Sequence, residues 1–159
     1  MADIGQLRII AGLLGSKSSF NAIIAKALCD GMVSEYGDRI FCYSLPSDGP
    51  IVGKHVVPYL EGFSLEGVEM DILMFAQDMP PHRHHTSDGV LMIRGIDRQV
   101  PPGWEIYLPT GEWGALVDGE VIVLPRGTPH GFHRLPGAGP LYAISVNYPP
   151  LPIKDIQFL

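Results

Sequence analysis

The sequence predicts a predominantly β protein: a closed or sandwiched antiparallel barrel of short strands that follows a short helical segment. Two observations carry this prediction. The 159 residues include 19 Gly and 15 Pro, and such richness without a collagen period is typical of short strands joined by tight turns. Apolar residues make up 46% of the chain and charged residues 18%, which excludes a disordered chain and supplies a core for one domain.

Residues 1–38 have the pattern of a helical extension. Asp3, with Gln6 three residues later, predicts a capping box at the start of a helix that stops at Gly15. A second helix is predicted to start at one of the serines at positions 18 and 19 and to end near Gly31 or Gly37. Each helix has one apolar face. We expect this extension to pack against the barrel or against a second subunit.

Charge argues against nucleic acid as a partner. The formal net charge is −6, and the only basic residues in the two helices are Arg8, Lys17 and Lys26. A helix-turn-helix that reads DNA needs more positive charge than this. The apolar runs are shorter than the roughly 18 residues that span a membrane. The two cysteines could form one disulfide, but we interpret them as two buried apolar thiols. With no signal peptide pattern, we expect a cytoplasmic protein that binds no membrane.

Residues 39–159 are predicted to form the barrel. Asp118-Gly119 between two apolar runs predicts a β-hairpin. The proline-rich tail, residues 148–152, cannot join a central strand and should cross the surface. The candidate strands are Arg39–Ser44, Val52–Val57, Val68–Gln77, Gly89–Ile93, Trp104–Leu108, Gly114–Val117, Glu120–Leu124, Gly131–Leu135 and Leu141–Asn147.

Five of the six histidines lie in two clusters that are far apart in the sequence. His82 and His84 are two residues apart, so both rings point to one face of an extended segment. Asp88 can return to the same cavity across a short turn, and His130 arrives from a separate strand. Three imidazoles and one carboxylate on an interior face are ligands that suit a divalent transition metal. Burying three imidazoles without partners would cost folding free energy, so a bound metal is the favoured explanation.

At these residues the chain resembles the cupin superfamily. The first cupin motif, G(x)5-HxH-(x)3,4-E-(x)6-G, is matched by His82, His84, Asp88 and Gly95. The second motif, G(x)5-PxG-(x)2-H-(x)3-N, is matched by Gly119, Pro125, Gly127 and His130. Three positions differ from the family pattern: Ala76 replaces the leading Gly, Asp88 stands in the Glu position, and Arg134 stands in the Asn position.

The resemblance implies a cupin jelly-roll, a double-stranded β-helix barrel. It implies one divalent metal, such as Fe, Mn, Ni, Zn or Co, held by His82, His84, His130 and the carboxylate position. Because aspartate is one methylene shorter than glutamate, Asp88 is expected to bind the metal either directly or only through water. A centre held by three histidines would keep more open positions, which is what catalysis requires.

Further candidate residues follow from position. Arg134 shares strand parity with His130, so it can face the interior and clamp an anionic group; alternatively it is solvated, or paired with Asp88 or Glu105. Glu105 and Tyr107 are candidate general bases.

Other positions carry weaker predictions. Tyr107 and Met92 are plausible pocket walls, Trp104 and Trp113 are expected in the core or an interface, and His85 is a candidate entry residue. His55 is interpreted as a surface or packing histidine, and His133 as outward-facing. Either alternating set of the strand over residues 68–77 can line the cavity, with packing the expected role.

These features favour an enzyme acting on a small polar or anionic molecule at a mononuclear metal centre. The resemblance slightly favours a dioxygenase-type oxidoreductase over an isomerase, lyase or decarboxylase. A non-catalytic small-molecule sensor or carbohydrate-binding module is the alternative, and a structural barrel stabilised by its metal is a third reading.

We predict a homodimer. Small cupins commonly pair through sheet edges, and the N-terminal segment offers apolar surface to share. Light scattering coupled to size exclusion should give twice the 17.3 kDa mass of one chain. A monomer mass across the accessible concentration range would contradict this prediction.

Overall fold

The computed structural model describes residues 3–45, 65–94, 103–152 and 154–159. The predicted strand Val52–Val57 and His55 lie outside these residues. The described elements are, in chain order, α1 (Ile4–Leu14), α2 (Lys17–Asp30), β1 (Val33–Tyr36), β2 (Ile40–Leu45), β3 (Glu69–Phe75), β4 (Met79–Arg83), β5 (Asp88–Arg94), β6 (Trp104–Tyr107), β7 (Trp113–Ala115), β8 (Val121–Leu124), β9 (His130–Arg134), β10 (Leu141–Tyr148) and β11 (Gln157–Phe158).

The helices begin and end where local chemistry dictates. The Asp3 carboxylate accepts from the Gln6 amide at 2.9 Å while Gln6 Oε1 accepts from the Asp3 amide at 2.9 Å, which confirms the capping box. Gly15 caps the end of α1. Helix α2 starts at Lys17, slightly earlier than predicted, and ends before Gly31. Within the described part of the chain, no helix combines the length and apolarity needed to cross a membrane.

The strands form two antiparallel sheets. The six-stranded sheet has the order β1-β2-β3-β10-β5-β8 and the five-stranded sheet the order β11-β4-β9-β6-β7. The first sheet starts at Val33, before the predicted Arg39, because β1 pairs with β2. Strands β4 and β11 were not among the predicted strands. The all-β class with a helical N-terminal segment is confirmed.

The predicted hairpin at Asp118-Gly119 is wrong. A tight turn does form there, since the Glu120 amide donates to the Val117 carbonyl at 3.1 Å and Gly119 has a positive φ of 78°. However, β7 pairs with β6 in one sheet and β8 pairs with β5 in the other. The turn therefore carries the chain from one sheet to the other, because turn residues specify a local bend and not the partner of the strand that follows.

The central strands of the six-stranded sheet, β3, β10 and β5, have buried residues on both faces. Even-numbered residues of β3, such as Met70 and Ile72, pack with Leu7 and Ile10 of α1 in one apolar cluster. Odd-numbered residues of the same strand, such as Phe75, face the five-stranded sheet in a second cluster. The extension therefore packs on the barrel, and the inner face of this sheet is left to line an interior.

The packing of α1 yields a paired mutational test. Ile10 is fully buried, whereas Ile9 on the same helix is 47% exposed. Ile10→Ala should lower the free energy of unfolding by about 2–5 kcal/mol through lost burial and a cavity, whereas Ile9→Ala should change it by less than about 0.5 kcal/mol. Urea denaturation measures both changes. Equal losses for the two variants would show that α1 does not pack as described.

Candidate metal centre

Three histidines meet where β4 and β9 run side by side. His82 on β4 stands directly opposite His130 on β9, and His84 follows the end of β4. One ring nitrogen from each lies within 4.8 Å of the others. The approach of the two strands requires a glycine next to His130, because a Cβ on Gly131 would lie 2.8 Å from the Met79 carbonyl oxygen. The structure thus confirms that these histidines converge.

Backbone carbonyls fix the orientation of all three rings. His82 Nδ1 lies 2.8 Å from the Pro80 oxygen, His84 Nδ1 lies 2.7 Å from the Asp155 oxygen, and His130 Nδ1 lies 3.0 Å from the Thr128 oxygen. A carbonyl oxygen can only accept, so each Nδ1 carries the proton and donates. Each Nε2 is therefore left with a free lone pair, which is the arrangement seen in metal-bound histidines.

Burial keeps the three imidazoles neutral. It is the main cause that lowers the pKa of His82 to about 4 and that of His130 to about 3, and the charge of neighbouring histidines contributes to both shifts. Burial is also the main cause that lowers the pKa of His84. Deprotonated nitrogen donors are what a divalent transition metal needs. The donor set, its tautomers and its protonation state therefore fit a metal.

The C-terminal tail holds His84 in place. Strand β11 pairs with β4, and the Asp155 carboxylate accepts from the backbone amides of His85 and Thr86 at 3.0 and 2.9 Å and from the Thr86 hydroxyl at 2.6 Å. These bonds position the Asp155 carbonyl that orients His84. The tail also lines the cavity through Leu151, so it does more than cross the surface.

Asp88 is not in the histidine group. As the first residue of β5 it shares strand parity with Val90, which packs toward α1. Its carboxylate is bound by Arg126 instead: the backbone amide lies 2.9 Å from Oδ1 and the guanidinium Nη2 lies 3.2 Å from Oδ2. Hydrogen bonds from Arg126 lower the pKa of Asp88. The structure therefore does not support Asp88 as a direct ligand, because its strand parity and its partner both turn the carboxylate away.

Residue 89 is the alternative position for the motif's carboxylate, and the space around it explains why no carboxylate stands there. Gly89, one residue later, faces the cavity, and this position fits the longer of the two spacings in the first motif. A Cβ on Gly89 would lie 2.6 Å from Asn147 Oδ1. The Asn147 amide therefore fills the space that a larger residue 89 would need, and among the described residues no carboxylate joins the three histidines as a potential metal ligand.

Arg134 does not enter the cavity. Its guanidinium donates to the backbone carbonyls of Ala76 and Ala138, and its backbone amide donates to Asp78 Oδ1 at 2.7 Å. Four residues of strand separate it from His130, a distance of roughly 13 Å. The parity prediction gives the correct face of β9, but the structure places Arg134 at the far end of the barrel from the histidines. Its guanidinium hydrogen-bonds backbone carbonyls and is not positioned to bind an anion at the metal centre.

Glu105 and Tyr107 lie on the outer face of the five-stranded sheet. Their neighbour Ile106 is 5% exposed and points inward, so the alternation of β6 turns these two side chains outward. Glu105 Oε1 lies 3.3 Å from Nδ1 of the outward-facing His133, and the Tyr107 ring packs edge-on against Trp113 at 5.4 Å. Neither is placed to act as a base in the cavity.

Of the weaker predictions, some agree with the structure and one does not. Trp104 is a core residue, 3% exposed, and its Nε1 donates to the Gly139 carbonyl at 2.7 Å. Met92 is not a pocket wall, because it packs in the apolar cluster beneath the helices. His85 lies at the surface, where Nε2 is 2.6 Å from Gln157 Oε1.

A cavity of about 330 Å³ opens between the two sheets next to the histidines. Its lining contains two carboxyl residues that the sequence analysis treated as packing positions, Glu69 and Asp71. The signal that could have identified them was present: two acidic residues at a spacing of two, on one face of an otherwise apolar strand. The other end of the cavity is apolar, with Phe75 and Phe132 stacked at 4.8 Å between ring centroids.

Comparisons with known proteins support the fold. No protein-family model matches the chain, and no curated protein matches its sequence. The solved structure of the polyketide cyclase RemF from Streptomyces resistomycificus is 18% identical, with a TM-score of 0.53, covering 77% of this chain and 72% of RemF. KdgF from Halomonas is 17% identical, with a TM-score of 0.52, covering 78% and 90%. Both are cupin-fold proteins, and this chain has the cupin fold.

The tail contact predicts that Asp155 controls metal affinity. Asp155→Ala removes the carboxylate that binds the His85 and Thr86 amides, so His84 should lose its fixed orientation and metal affinity should fall by about 10-fold or more. Competition with a chromogenic chelator measures the affinity. Asp38→Asn, at an exposed turn carboxylate, is the matched control and should leave it unchanged. Unchanged affinity in Asp155→Ala would mean that the tail does not orient His84.

Proposed function

We propose that this cupin-fold protein is a metal-dependent enzyme that acts on a small molecule inside its barrel. One observation carries the proposal: His82, His84 and His130 direct three unprotonated nitrogens to one place, on the wall of a cavity large enough for a small ligand. A satisfied core histidine would have both nitrogens paired.

The chain's own residues hold and orient a metal but leave much of its coordination open. Three nitrogen donors suit Fe, Mn, Ni, Zn or Co, and fewer protein ligands leave positions for substrate. When bound, such a metal would supply Lewis acidity toward a substrate oxygen or, as iron, dioxygen activation. The backbone carbonyls that accept from Nδ1 keep the rings from turning, and the tail residues limit the access of water.

The reaction class we favour is Lewis-acid catalysis, as in an isomerase, lyase or cyclase. Its support is the presence of two carboxyl side chains, Glu69 and Asp71, in the same cavity, since such reactions move protons. The open coordination positions also allow a dioxygenase, which is the second candidate. Oxygen consumption against a panel of phenols, thiols and keto acids separates the two, and binding without turnover of any compound would indicate a sensor.

The cavity does not favour the anionic substrate that an inward Arg134 would have suited. No Lys or Arg is found among the described residues that line it, whereas three carboxyl side chains are. Apart from the metal, this cavity would repel an anion. We therefore propose a substrate without net negative charge.

The metal centre is tested by removing its ligands. His130→Ala and His84→Ala should each weaken metal binding by more than the 10–100-fold that loss of an orienting partner costs, and should abolish activity. Metal analysis of the purified variants measures this. Asp88→Asn is the control: since Arg126 holds that carboxylate outside the histidine group, its metal content should equal that of the parent.

Thermal melting gives an independent readout. Saturating metal, at 100 times its Kd, stabilises by about 2.7 kcal/mol, which for a chain of this length raises Tm by roughly 5–10 °C. The rise should vanish in His130→Ala. A protein that purifies without metal, and whose melting responds neither to chelator nor to added metals, would refute the proposal.

A further inference from the structure

Two carboxyl side chains in the cavity are not part of the histidine centre. Glu69 and Asp71 stand two residues apart on β3, so both face the cavity. Asp71 is 6% exposed, and its Oδ1 is buried without a hydrogen-bond partner. An unpaired buried carboxylate oxygen is costly. This oxygen therefore marks a place where a hydrogen-bond donor from outside the protein belongs.

The groups around the pair are polar but supply no positive charge. Ser44 on β2 and Ser145 on β10 flank Asp71, and Asn147 stands beside Glu69. Asn147 Nδ2 already donates to Ser145 Oγ at 2.8 Å, so this amide is engaged. No Lys or Arg joins them among the cavity-lining residues that the structure describes. Compensation for the carboxylates must come from a shared proton.

Glu69 carries that proton at neutral pH. Burial, followed by the hydrogen bond and charge of Asp71, raises the pKa of Glu69 to about 8. Burial also raises the pKa of the neighbouring Cys42 to about 12, so this thiol stays protonated. Among the described residues that line the cavity, the other titratable groups are Glu35 and Tyr36 on β1 and the three histidines of the opposite sheet. The pair thus offers one donor and one acceptor.

We propose that Glu69 and Asp71 form a second subsite, across the cavity from the histidines, that binds a hydroxyl group of a neutral substrate. Without a ligand the Glu69 proton is directed to Asp71; in the complex the Glu69 carboxyl donates it to the hydroxyl oxygen, and the hydroxyl donates to Asp71 Oδ1. The apolar end of the cavity around Phe75 and Phe132 receives the hydrocarbon or aromatic part of the same molecule. This inference rests on the proposed function and specifies its substrate class.

The donor–acceptor pattern selects a hydroxyl over charged groups. A carboxylate or phosphate has no donor for Asp71 and meets a like charge there. An ammonium has only donors, so it cannot accept the Glu69 proton and cannot take the place of a hydroxyl between Glu69 and Asp71. A hydroxyl donates and accepts at once. Since two packed sheets lie about 10 Å apart, a small amphipathic molecule can reach both the histidines and the carboxyl pair.

Three probes that differ in one polar group test the subsite. Benzyl alcohol, benzoate and benzylamine are titrated by NMR against the protein as purified and again after chelation, when metal ligation no longer contributes. Benzyl alcohol should bind most tightly to the chelated protein. Asp71→Asn should weaken its binding about 10-fold through loss of a hydrogen bond to a charged group. Asp38→Asn, on an exposed turn, should have no effect.

The Glu69→Gln variant gives a readout that a purely structural role would not move. As the pH rises through about 8, Glu69 loses its proton, the subsite loses its donor, and affinity for benzyl alcohol should fall. Gln keeps a donor at every pH, so the variant should bind as tightly as the parent near pH 7 and lose the fall. Stability should depend on pH in the same way. The pKa of Glu69 is higher in the folded than in the unfolded state, so the Tm of the parent should drop between pH 5 and 8. The Tm of Glu69→Gln should drop less.

Several outcomes would overturn the subsite. These are benzoate or benzylamine binding at least as tightly as benzyl alcohol after chelation, no detectable binding of the alcohol, and unchanged affinity in Asp71→Asn. Metal content is measured on the same samples and should be unaffected by either substitution. If the protein binds benzyl alcohol as expected but binds no metal, the proposed function alone is refuted. If it binds metal but not benzyl alcohol, the subsite alone is refuted.

Discussion

The structure depends on the central strands of one sheet being buried on both faces. Strands β3, β10 and β5 send alternate side chains to opposite sides, as the pleat requires. One side packs under α1, where Leu7, Ile10 and Leu14 are fully buried, and the other side faces the five-stranded sheet. Because the helix supplies one apolar core, the interior between the sheets need not be filled completely. The polar end of that interior can hold histidines and carboxyl groups that a minimal barrel core would exclude.

Strand geometry explains why the three histidines are equivalent in protonation although they come from different segments. Each ring is largely buried, and each Nδ1 is held by a carbonyl, which for His82 and His130 belongs to the residue two positions earlier and for His84 to the tail. Buried neutral rings with unpaired Nε2 lone pairs would lower the stability of the fold if they had no further role. A bound metal would supply the missing partners, so the protonation state of the histidines is consistent with the proposed metal-dependent activity.

The sequence predicted the parts of this molecule that depend on local pattern. The capping box at Asp3, the spacing of His82 and His84, and the second motif around His130 are short-range signals, and the structure agrees with them. The role of Asp88 could not be predicted this way, because the start of β5 decides whether residue 88 or residue 89 faces the cavity. The predicted anion-binding role of Arg134 was wrong for a related reason: strand parity gives the face on which a side chain lies but not its position along the barrel axis. Asp118-Gly119 marked a turn correctly, yet strand pairing across sheets is a long-range property.

The two polar walls of the cavity differ in what they can bind, and this difference would orient a substrate. The histidine wall presents lone pairs and, with a metal, would attract an oxygen atom, whereas the pair formed by Glu69 and Asp71 presents one donor and one acceptor. A metal-bound ligand with a second polar group can therefore sit in one direction only. The apolar surface around Phe75 and Phe132 adds affinity without direction, because the hydrophobic effect is not directional. In the proposed enzyme, specificity would thus arise from the carboxyl pair, and the histidines would set the chemistry.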